Sequence, residues 1–106
     1  MSFIPEGDWA IECVLINQVT VMNNEGMRAV EVKDDAWVIQ PAGQRFRICQ
    51  STAKSAVLES NGEVFYADYE VDGNKLLVDL SRRNIKEVVS FEAVAITADV
   101  FASLTD

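Results

Sequence analysis

Two turn signals constrain this chain most. Asn61-Gly62 and Asp72-Gly73 each stand between runs in which apolar and polar residues alternate. Asn-Gly and Asp-Gly in that setting mark β-hairpins, because the tightest hairpin turns need positive φ, which Asn, Asp and Gly tolerate. The strands they join run from Ser55 to Glu59, Glu63 to Val71 and Lys75 to Leu80. A two-residue Asn61-Gly62 loop pairs Leu58 with Phe65 and Ala56 with Ala67. A two-residue Asp72-Gly73 loop pairs Tyr69 with Leu76, Ala67 with Val78 and Glu70 with Lys75. Apolar meets apolar and acid meets base, as cross-strand neighbours require. Three strands joined in this way form an antiparallel meander.

The rest of the chain extends it. Trp9 to Met22 is rich in β-branched residues and shows no helical polar face, so it reads as a long strand with a bend or bulge at Asn17-Gln18. Along it Trp9, Ile11, Cys13 and Leu15 share one face, and Ala10, Glu12, Val14 and Ile16 the other. Further strands are expected over Met27 to Lys33, Ala36 to Gln40, Gln44 to Ser51 and about Lys86 to Ile96. Gly26, Asp34-Asp35, Pro41-Ala42-Gly43 and Ser81-Arg82-Arg83-Asn84 fall at the turns between them. Thr97-Ala98-Asp99 can cap a short C-terminal helix through Leu104. The connections are short and no helix intervenes between strands. The expected fold is therefore all-β: one domain over residues 1–106, its core at about 7–96, with eight antiparallel strands closed into a barrel. A two-sheet sandwich is the runner-up that the same alternation permits.

Composition narrows the chemistry. The formal charge of −8 repels phosphate and anionic lipid, so nucleic acid and membrane surfaces are not expected partners. The chain has no histidine, which removes the commonest general base and transition-metal ligand. Phosphate loop, nucleophile elbow and metal motif are all missing. The expectation is a non-enzyme with no metal and no cofactor. Cys13 and Cys49 are expected to be free thiols, because alternation aims one inward and one outward. The first six residues lack a basic segment and an apolar one, so the expected location is cytoplasmic.

Gly7-Asp8-Trp9, a Gly-x-Trp opening the first strand, and the hairpin from Tyr69 to Val78 resemble the lipocalin-like (calycin) small β-barrels of bacteria. With the meander, the likeness covers about residues 7 to 96. It implies a closed barrel whose one end is plugged by Trp9. Members often carry an Arg on the last strand, packed across that Trp; here Arg82 and Arg83 precede the strand and none lies on it.

The inward face then collects Trp9, Ile11, Cys13, Trp37, Phe46, Phe65, Tyr69 and Phe91. These are the candidate cavity residues, with the Tyr69 hydroxyl and Cys13 as polar points. The same residues would serve as a filled core. Arg82, Arg83 and Lys86 form the main basic cluster, a candidate anion contact at the rim. Outward Val14, Ile16, Val38, Val57, Leu77, Val88 and Val94 exceed scattered exposure and suggest a homo-oligomer or a protein partner. Two functions follow: a binding domain for a small hydrophobic or amphipathic ligand, or a solid module acting through its outer face.

Overall fold

The computed structural model describes residues 4, 6–21, 27–83 and 85–105. Among them are nine strands: β1 (Gly7–Ile16), β2 (Val19–Thr20), β3 (Met27–Val32), β4 (Ala36–Pro41), β5 (Gln44–Ser51), β6 (Ser55–Ser60), β7 (Glu63–Asp72), β8 (Lys75–Arg82) and β9 (Ile85–Ile96). One helix follows, α1 (Ala98–Thr105). All pairings are antiparallel, in the order β2-β1-β3-β4-β5-β6-β7-β8-β9, and β9 returns to pair with β1. That last ladder, from Asp8 opposite Ile96 to Ile16 opposite Val89, closes eight strands into a barrel. The open two-sheet sandwich is thereby excluded.

Local departures from the expected pattern shape the molecule, among them register shifts in the β1–β9, β3–β4, β5–β6 and β8–β9 pairs. In β1 the register against β9 shifts between Ile11 and Cys13, leaving Glu12 as an extra residue. A bulge of this kind reverses the in-out order beyond it. Val14, expected outside, is buried in the core; Cys13 and Leu15, expected inside, are half-buried and face outward. Both cysteines are indeed free, but Cys13 is not the buried thiol that alternation implied.

Asn17-Gln18 is a hairpin turn rather than a bend. Both residues have positive φ, 51° and 70°, and Ile16 stands opposite Val19. Asn17 is held at this conformation by β9: its N–H donates to Val88 O (2.9 Å) and its Oδ1 accepts from Val88 N–H (3.0 Å). The presumed turn through Gly26 lies outside the described residues.

The β7–β8 hairpin turns one residue later than expected. Its loop is Gly73-Asn74, with Asp72 opposite Lys75, so Tyr69 faces Val78 and Ala67 faces Leu80. The slide amounts to two pairing positions, an even number, and every side chain keeps its face. Acid still meets base, now Asp72 with Lys75. The Asn61-Gly62 hairpin has the expected register, Leu58 opposite Phe65 and Ala56 opposite Ala67.

Thr97 caps α1, its Oγ1 accepting from Val100 N–H at 3.4 Å, and Asp99 in the first turn suits the positive end of the helix dipole. The helix packs on β1 and β3. Ala10 and Ala29 stand opposite each other on these strands, and Ala29 is fully buried although it points away from the barrel core. Two small side chains there leave room for a helix on the outer wall.

Candidate functional site

β1, β4, β6 and β8 start at the same end of the barrel, and that end is filled. Trp9 is 3% exposed and Trp37 2%, and both pack in one cluster with Ile4, Val32, Tyr69 and Leu76. Trp37 meets Tyr69 edge to face, with ring centroids 5.9 Å apart. The Tyr69 hydroxyl donates to the backbone carbonyls of Thr52 and Ser55, tying β7 to the β5–β6 connection. Burial raises its pKa above the ordinary value. Tyr69 therefore offers no polar point to a ligand; the wall has already used it. Ile11, Leu58, Val78 and Phe91 fill the middle. Over this half of the barrel the solid-core alternative holds.

The opposite end is different. A cup of about 190 Å³ opens there, inside the ring of strands. Its floor and walls are Met27, Ile39, Phe46, Phe65, Leu80 and Val89, and its rim is Ala42, Gln44, Arg82 and Glu87. Phe46 and Phe65 meet edge to face at 5.1 Å, a stiff aromatic corner. Gln44 Nε2 donates to Ser60 Oγ at 3.4 Å; Ser60 is buried beneath the rim. The site is thus apolar in depth and polar at the edge, the usual form of a small-molecule pocket.

Arg82 closes one side of the cup. It stands opposite Phe65, two residues beyond Leu80, and so continues the inward face of β8. Its guanidinium lies 5.3 Å from the centre of the Phe65 ring and 3.1 Å from Glu63, a cation-π contact joined to an ion pair.

The candidates of the sequence thus separate. Phe46, Phe65 and Arg82 come together at the cup. Trp9, Ile11, Trp37, Tyr69 and Phe91 belong to the filled part. Cys13 is carried to the outer wall by the bulge. Arg82 also lines a second groove, outside the barrel, together with Arg83, Gly62, Glu63, Val64 and Ile85, and Lys86 is exposed and lines neither hollow. Arg82 and Arg83 of the basic cluster thus stay together in that groove, and Lys86 stands apart from it. Arg45 and Arg47 on β5 pair with Asp35 (3.5 Å) and Glu59 (3.1 Å). Alternation missed Met27, Ile39 and Leu80 as cavity residues and Glu87 altogether. The signal was present, since Glu87, Val89 and Phe91 share the inward parity of their strand.

A larger depression, about 590 Å³, lies on the solvent side of β7, β8 and β9. It is an open trough whose outward side chains include four carboxylates, Asp68, Glu70, Asp79 and Glu92, and one cation, Lys54. Asp68 stands directly opposite Asp79, and Leu77 lies between Glu70 and Glu92. Its position outside the barrel makes it a weaker pocket than the smaller cup lined from within.

Among the described residues no group of three or more His, Cys, Asp or Glu side chains could hold a metal ion. No helix among them is long and apolar enough to cross a membrane. In comparisons with known proteins, no protein-family model and no curated protein matches the chain. The class that fold and site define is a closed eight-stranded antiparallel barrel, filled at one end and cupped at the other.

Proposed function

We propose that this protein is a non-catalytic binding domain of the lipocalin-like kind, holding a small amphipathic ligand in the open end of the barrel. The observation that supports this reading is the cup itself: an apolar hollow about 190 Å³ in volume, walled by Phe46, Phe65, Leu80 and Val89, in a barrel otherwise filled. Its size sets the ligand. Drug-sized molecules take pockets of roughly 300–1,000 Å³, whereas an apolar cavity of about 150 Å³ accepts benzene. The cup suits a single ring or a short chain, with the ligand's polar end at the rim. None of the described residues lining the cup supplies a nucleophile beside a base, which is the reason for the non-catalytic reading.

Hexanol is a suitable probe. Val89→Trp fills the cup from its wall, and it should weaken hexanol binding by more than tenfold while the urea midpoint stays near that of the wild type. Undiminished binding by this variant would place the ligand elsewhere. The outer-face reading has less to support it. A second copy docked on Leu77 would set Asp68, Glu70, Asp79 and Glu92 against their own equivalents, and like charges across an interface are costly.

A further inference from the structure

Among the described residues two opposite charges border the cup, and one of them is matched. Arg82 has Glu63 at 3.1 Å and the Phe65 face beneath it. Glu87 takes part in no ion pair among the described residues. No Lys or Arg occurs among the residues outside the description, so no side-chain cation from there can neutralise it. Glu87 is half-buried and stands on the cup wall beside Val89. The pairing of β8 and β9 explains how it came there. Ser81 faces Val88 but Arg82 faces Ile85, which leaves Lys86 and Glu87 as extra residues between two ladder positions. Glu87 keeps the inward parity of Val89, two residues on, so its carboxylate faces the apolar hollow at the point where the ladder breaks. A carboxylate so placed has lost part of its hydration without gaining a counter-ion.

We infer that the polar end of the ligand is a cation: a primary amine bearing one ring or about six carbons. Its ammonium would lie on Glu87, and its apolar part between Phe46, Phe65, Leu80 and Val89. This deepens the proposed function and rests on it. The charge balance favours this polarity over its opposite. A carboxylate ligand would have to displace Glu63 from Arg82 and then sit beside Glu87. The net charge of −8 also draws cations toward the protein and repels anions.

Hexylamine, hexanol and hexanoate, titrated separately into the full chain at neutral pH and low salt, test the inference through the methyl NMR shifts of Val89 and Leu80. Hexylamine should bind about five- to tenfold tighter than hexanol, and hexanoate most weakly. Glu87→Gln should bring hexylamine to the level of hexanol, and the dispersion of the variant's methyl spectrum without ligand reports that it is folded. If that variant does not fold, the salt response of the wild type decides: the advantage of the amine should shrink toward about 1 M salt, with hexanol unaffected. An amine advantage that survives Glu87→Gln, or that ignores salt, overturns the inference. So does hexanoate binding as tightly as hexylamine. In those cases hexanol still binds and the cup remains a pocket. Absence of binding by all three overturns the cup reading and this inference together.

Discussion

Asp8 shows how one residue reports its surroundings. It sits on the outer wall between β3 and β9, opposite Glu31 and Ile96. Partial burial, and then the charge of Glu31, raise its pKa above the ordinary carboxylate value of 3.8. The folded protein therefore holds this proton more tightly than the unfolded chain, and stability is lost as pH rises from the ordinary value through the raised one. Asp8→Asn removes the charge that is disfavoured. It should raise the urea midpoint at neutral pH and leave it unchanged near pH 3, where the carboxyl is protonated in both states. A gain of equal size at both pH values would mean that charge is not the cause. Cys13 marks what single residues do not reveal. Its parity with Trp9 and Ile11 is plain in the sequence, but the extra residue at Glu12 is set by the pairing of β1 with β9, a partner about 80 residues away with no local signature.

At the scale of elements, the hairpins were the most legible part because their turns carry their own chemistry. Asn61 and Gly62 have φ of 53° and 79°, as the two-residue turn with positive φ at both positions demands. Gly73 has φ of 60° at the first central position of its turn, the place of glycine in the other favoured hairpin turn. The Asp-Gly pair pointed to glycine second rather than first, and the register moved two positions as a result. Both turns satisfy the same apolar alternation, so pattern alone could not choose between them. The φ requirement remains. A Cβ at Gly73 would meet no neighbour within 4 Å, so Gly73→Ala tests backbone strain alone and should destabilise by about 1 kcal/mol. An unchanged midpoint would show that the turn adopts another conformation. Arg82 was legible in principle. Leu76, Val78 and Leu80 set the inward parity of β8, and continuing it by two residues would have turned Arg82 from a turn residue into a wall of the cup.

For the whole molecule, closure and polarity are the main results. The eight antiparallel strands and their short connections were readable from alternation and turns. Closure into a barrel was expected from the strand number and the Gly-x-Trp opening, and β1 and β9 do close the ring; their register, with its bulge at Glu12, was not readable, because it joins the two ends of the sheet. The same composition could fill the barrel or leave it hollow, and the sequence offered both. The structure does each at a different end. Trp9 carries the closed end, where it packs with Ile4, Val32 and Trp37. Trp9→Ala should cost about 3–5 kcal/mol, since strands fixed by cross-strand hydrogen bonds cannot collapse into the void. Trp9→Phe should cost much less, and Glu70→Ala on the outer wall should barely register. A urea titration of the three would expose any error in the order.

One end of this barrel is solid, and the other end is proposed to receive a ligand. The most direct test is a hexanol titration of the methyl-labelled protein followed by NMR. Saturable shifts should appear at Met27, Leu80 and Val89 around the cup, while Val32 and Leu76 at the closed end stay in place. Shifts that fail to saturate, or that gather on the outer wall at Leu77 and Val94, would contradict it.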